Sequence, residues 1–159
     1  MTLENIYYIG QTIAVLALVL SLVFVGVQIL QNTRATRAAS HNAVSDSLNE
    51  VNRMFAENAD LTTIWLKGLS DRQALSAEER WRFDSVLRAY MHVCETMFIQ
   101  AGLGAGDKGI MLAEADGIRV VMTSPGPREW RDENPYGFCA EFRAYADSLA
   151  KSPSAERAQ

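Results

Sequence analysis

The sequence predicts an all-α membrane protein, with one N-terminal transmembrane helix extended into a small cytoplasmic domain of about five helices. Three observations carry this prediction. No side chain from Asn5 to Thr33 is charged, and Ile13 to Leu30 is almost continuously apolar. Beyond that segment, apolar residues recur at helical spacings of three and four. No run alternates polar and apolar residues as a half-buried strand does.

The first element is the membrane segment, residues 1–33, with a span of about 6–30. A hydrocarbon core of about 30 Å needs roughly 20 helical residues at ~1.5 Å each, and tilt absorbs the surplus. Tyr7 and Tyr8 stand where an aromatic belt anchors a helix at the interface. A cleaved signal peptide fits poorly. Glu4 precedes the apolar run with no Lys or Arg, the run is longer than a signal peptide's, and no small-residue cleavage site follows. Arg34 and Arg37 flank the far end, so the positive-inside rule sets the N-terminus outside and the rest in the cytoplasm. Gly10, Ala14, Ala17 and Ser21 follow a 4-3-4 spacing that gathers four small residues on one helix face. Such faces let helix backbones approach closely in lipid, so this is the candidate packing face toward another copy or another membrane protein.

Residues 34–150 read as the helical soluble domain, and 151–159 as a flexible tail. With no turn signal after the span, its helix is expected to continue, carrying an apolar stripe of Val44, Leu48, Val51 and Phe55. A break at Asn58-Ala-Asp60 precedes a short helix with Ile64, Trp65 and Leu69, which Asp60 is placed to cap. Ser76-Ala-Glu-Glu79 is a capping box. It opens a helix whose stripe runs Phe83, Leu87, Tyr90, Cys94, Met97 and Ala101, with Gly102 as its stop. Met111, Ala115, Ile118 and Met122 trace the next helix, which Pro125 must end. Pro127 suits the first turn of a short piece with Trp130, and Phe138, Phe142, Tyr145 and Leu149 mark the last helix.

Charge and composition exclude several function classes. All 15 basic residues and 18 of the 19 acidic ones follow position 33, which leaves residues 34–159 at −3 with no basic block. A nucleic-acid footprint needs clustered Lys and Arg, so none is predicted. Two cysteines and two histidines without close spacing make no metal site, and Cys94 and Cys139 read as buried thiols, a disulfide between them being allowed but not implied. Gly104-Ala-Gly-Asp-Lys-Gly109 spells G-x-G-x-x-G, but a helix leads into it where a dinucleotide site needs a strand. It reads as an interhelical turn. His92 shares a face with Arg88 and Glu95, which suits an ion-paired surface histidine. The three tryptophans read as core anchors. No intramembrane acid or base marks an ion path, and no cofactor is predicted.

Ser21-Leu-Val-Phe-Val-Gly-Val-Gln28-Ile-Leu-Gln31-Asn-Thr-Arg34-Ala-Thr-Arg37-Ala, with Tyr7-Tyr8 before it, resembles the start of a widespread family of uncharacterised bacterial single-pass membrane proteins. There a similar apolar helix runs into a Gln-Ile-x-Gln-Asn-Thr-Arg-Ala stretch. Leu75-Ser-Ala-Glu-Glu-Arg80 and Glu141-Phe-Arg-Ala144 extend the likeness over most of the chain. The family often has Arg where this chain has Leu30. The resemblance implies a bacterial inner-membrane protein and carries no activity. The expected function is a membrane-anchored interaction or structural module without catalysis, bound to the lipid bilayer and to itself or a membrane partner. The alternatives are an accessory subunit of a larger membrane complex, and a ligand sensor or enzyme with a site between the soluble helices.

Overall fold

A computed structural model describes residues 2–151, which form six α-helices and no strand: α1 (Leu3–Glu57), α2 (Ala59–Ser70), α3 (Ala77–Gly102), α4 (Lys108–Thr123), α5 (Pro125–Glu133) and α6 (Ala140–Lys151). The all-α prediction is met, and the count reaches six because the short Pro-led piece stands as a helix of its own. The expected tail from 152 onward lies outside the described residues. The chain divides into two units, Met1–Ala38 and Ala39–Gln159.

The first unit consists of the N-terminal part of α1. None of its described side chains is buried, although Ile13, Leu16, Leu20 and Phe24 are each more than half exposed. This one helix is long and apolar enough to cross a membrane. Its hydroxyls fold back onto their own helix: Thr12 donates to the Tyr8 carbonyl at 2.9 Å, Ser21 to Ala17 at 2.8 Å and Thr33 to Ile29 at 2.9 Å. A hydroxyl satisfied four residues back needs no water, the condition for placing it in lipid.

In the second unit the core is built around α3. Its predicted stripe is buried apart from Tyr90, which is half-buried, with Phe83, Leu87 and Cys94 at 1% exposure or less. From α1, Val44 and Val51 are buried in the same unit, with Leu48 packed against the core. Phe55 meets Trp65 at 5.3 Å between ring centroids, and Trp65 meets Phe83 at 5.4 Å. Ile64, Ile118, Met122 and Phe142 complete the core from α2, α4 and α6.

Side-chain caps hold the starts of α2, α3 and α4. Ser76 and Glu79 form the predicted box. At α2 the cap is Asn58, whose side chain accepts from the Leu61 N–H at 3.0 Å, and not Asp60, which lies in the first turn where a negative charge is favourable anyway. At the end of α3, Gly102 closes the helix but the left-handed turn is made two residues later, at Gly104 with φ +70°. Pro125 ends α4 and serves as the first residue of α5.

Two close approaches lock α2 to its neighbours. A Cβ added at Gly68 would fall 2.4 Å from the Phe83 ring, and one at Gly126 would fall 1.8 Å from the Gly68 carbonyl oxygen. Beside them sits Arg72, buried at 4% exposure. Its Nε and Nη2 grip Asp84 at 2.8 and 2.7 Å, Nη1 donates to Glu129 at 2.7 Å, and Nη2 lies 3.0 Å from Glu133. The guanidinium therefore ties the turn after α2 to α3 and α5. The Asp84 hydrogen bonds foremost hold its pKa above the ordinary arginine value, against the opposing pull of burial.

Trp81 departs from the expectation that all three tryptophans anchor the core. It is 75% exposed, whereas Trp130 is buried and Trp65 packs on the core. Two residues before Phe83, it lies about 200° around α3 from the buried stripe.

Candidate functional site

The residues singled out from sequence fall in two places. Gly10, Ala14, Ala17 and Ser21 are all exposed on α1, within an arc of about 60° at ~100° per residue. Nothing lies within 4 Å of where a Cβ would stand at Gly10. Arg34 and Arg37 are exposed on the same helix, just past the apolar run.

In the second unit, the residues that looked like chemistry have structural work. The Gly104–Gly109 stretch is the turn after α3 together with the first two residues of α4, entered from a helix. The Asp107 carboxylate already occupies the start of α4, accepting from the Gly109 N–H at 2.7 Å, so no anion is needed there. His92 is half-exposed, 3.2 Å from Glu95 and edge-on to Phe138 at 4.9 Å. The other Glu95 oxygen accepts from the Cys139 N–H at 2.6 Å, at the head of α6. Burial opposes the Glu95 charge, but this backbone bond and then His92 outweigh it, and the carboxyl stays below its ordinary value. Cys94 is buried at 1%, Cys139 is half-buried, and neither forms a disulfide. Burial pushes the Cys94 thiol up to about 12, which makes it a poor nucleophile. Tyr90 is raised the same way, its hydroxyl 3.4 Å from Glu114. Among the described residues no group of three His, Cys, Asp or Glu side chains could hold a metal.

The sequence did not reveal a pocket of about 330 Å³ lined by α3, α4, α5, α6 and the α5–α6 loop. Its walls are apolar: Leu87 and Met91 from α3, Val121 and Met122 from α4, Trp130 from α5 and Phe142 from α6. Phe138 closes one side, 6.1 Å from Trp130 and 5.9 Å from Phe142 between centroids. The polar groups are gathered on one set of neighbours, Arg131, Asp132, Asn134, Arg143 and Asp147. Arg131 sits 3.0 Å from Asp147 and 4.0 Å from Asp132. Arg143 donates through Nη1 to the Pro135 carbonyl, while its Nε is buried with no hydrogen-bond partner. An unmet buried donor costs about 1–3 kcal/mol, more when charged. The volume falls in the range of small-molecule sites, roughly 300–1,000 Å³, with apolar walls and a few converging polar groups. No local pattern announced it, because Arg143 follows Phe142 as an ordinary polar neighbour of a core residue, and the cavity forms only when four helices meet.

Comparison with protein-family models, with curated proteins and with solved structures finds no match to this chain.

Proposed function

We propose that the protein is a membrane-anchored helical module without catalytic activity. It holds copies of itself, or a partner protein, at the cytoplasmic face of a bacterial inner membrane. The observation that carries the reading is the outward-facing apolar surface from Ile6 to Leu30, which no other part of the described chain buries. Each large apolar side chain gains about 1.5–3 kcal/mol on leaving water, so a surface of this size is not left in solvent. At ~1.5 Å per residue the run is about 37 Å long, enough to cross a ~30 Å core with tilt. Arg34 and Arg37 at its end support an outside N-terminus and a cytoplasmic helical unit. The face of Gly10, Ala14, Ala17 and Ser21 is the surface offered to a second membrane helix; the Ser21 hydroxyl is already satisfied within α1, so close packing strands no polar group.

Oxidative crosslinking in native membranes tests the reading. Gly10→Cys and Ala17→Cys are compared with the wild type and with a cysteine at Val19, opposite Gly10 at ~100° per residue. Membrane-embedded adducts, to a second copy or to another protein, are expected from the first two and not from Val19→Cys. Equal adducts from all three, or none from a folded protein, contradict the assigned face.

A further inference from the structure

The small-residue face of α1 is the beginning of a longer register. The 4-3 spacing that starts at Gly10 runs on without a skip through Phe24, Gln28, Gln31, Ala35 and Ala38, all exposed within the first unit. At ~100° per residue these positions keep to an arc of about 120°, a drift that a left-handed supercoil removes. In sequence the same count continues through Asn42, Ser45, Asn49 and Asn52. We propose, on the membrane-anchored reading, that the partner of this face is a second copy of the chain. The two α1 helices pair in parallel, and the Gln28 amide bonds to its counterpart.

Charge selects that occupant. Arg34 and Arg37 give every copy the same direction of insertion, so two copies meet in parallel and each face position meets its own counterpart. A charged residue there would face its like. None of these positions is charged, although Arg34, Arg37, His41, Asp46, Glu50 and Arg53 all lie between them in sequence or beside them. A foreign helix imposes no such exclusion, since it can carry the opposite charge. The larger polar residues that do occur on the face are amides, which hold donors and an acceptor together and so pair with their own kind.

Gln28 locks the pair. The hydroxyls of Thr12, Ser21 and Thr33 are each bonded to their own helix, at 2.9, 2.8 and 2.9 Å. The side chains of Gln28 and Gln31 have no hydrogen-bond partner among the described residues. Gln28 lies inside the apolar run that ends at Leu30, where a side-chain amide needs a partner from protein. Its counterpart supplies donor and acceptor together, as amides do between membrane helices and at the core positions of coiled coils.

The test is sedimentation equilibrium of the full chain, purified alone in a density-matched neutral detergent. The mass of two chains is expected. Gln28→Leu should raise the dissociation constant of the dimer by about tenfold, the worth of one amide bond between helices in lipid. Gln11→Leu removes an amide about 120° from the centre of the face and should leave the constant within about twofold. In phosphatidylcholine vesicles, mild oxidation should link Ala35→Cys to its counterpart above the wild-type background and spare Thr33→Cys, almost opposite it on the helix. A single-chain or higher mass overturns the pairing. So does a Gln28→Leu dimer no weaker than the Gln11→Leu one, or linkage as strong through Thr33→Cys as through Ala35→Cys. Carbonate extraction of the same vesicles separates this failure from that of the anchored reading. A chain that stays with the lipid but sediments as one copy keeps its anchor and loses only the pairing, whereas a chain that carbonate removes loses both.

Discussion

Replacing Arg72 with methionine keeps an unbranched stem about as far as Nε and removes the guanidinium with its charge. In the folded protein this side chain is 5% exposed and meets three carboxylates within about 3 Å. The substitution therefore strands Asp84, Glu129 and Glu133 beside one another. Breaking a buried pair by deleting one partner costs about 3–5 kcal/mol, most of it the penalty of the charge left behind. Water reaches these carboxylates, at 24%, 30% and 53% exposure, so the lower end applies, about 3 kcal/mol. For a unit of this size that is a loss of roughly 10–15 °C in Tm. The assay is thermal unfolding of the full chain in detergent, followed by tryptophan fluorescence, which reports on Trp65 and Trp130 in the core rather than on the apolar N-terminal part of α1. If stranded charge is the cause, adding Asp84→Asn to Arg72→Met recovers about 1 kcal/mol or more, because the tightest partner no longer needs the guanidinium. A loss under about 1 kcal/mol for Arg72→Met, or a double variant whose cost equals the sum of its singles, refutes the reasoning.

Three further perturbations follow from the same packing. Gly126→Ala places a methyl 1.8 Å from the Gly68 carbonyl oxygen and should cost about 2 kcal/mol or more in chemical denaturation, while Gly137→Ala, whose nearest neighbour is 3.6 Å away, should change far less. Glu95→Gln should cost about 1.5 kcal/mol near neutral pH. The Glu95 carboxyl is lowered in the folded state, so its contribution is fully present above the unfolded value of 4.5 and fades as pH falls through the folded one; the stabilities of variant and wild type should converge in acid, measured by unfolding between pH 3 and 7. N-ethylmaleimide at neutral pH should modify half-buried Cys139 and spare Cys94 until the chain is unfolded, as peptide mass spectrometry would read.

What the sequence made legible was local. Phe83, Leu87, Cys94 and Met97 declare one face of α3 through spacing alone, and Ser76 with Glu79 declares its start, because both signals act within a turn or two of helix. Trp81 shows how size can mislead: its register put it opposite Phe83, and its 75% exposure follows register. Asn58 and Asp60 are equally good capping residues two positions apart, so only the backbone angles of Asn58, φ −133° and ψ 94°, decide between them. Arg72 could not be found this way. Its partners Asp84, Glu129 and Glu133 lie on helices that meet only in the folded chain, and the contact of Gly126 with Gly68 depends on the same meeting. The pocket is of that kind too, since its walls come from four helices.

The most direct measurement for the anchored role is extraction of native membranes with alkaline carbonate, with the chain followed by immunoblot in pellet and supernatant. A helix whose apolar residues from Ile6 to Leu30 face outward is predicted to keep the intact protein in the membrane pellet, and detergent alone should release it. Recovery of the intact chain in the carbonate supernatant would contradict the membrane span, and with it the anchored role.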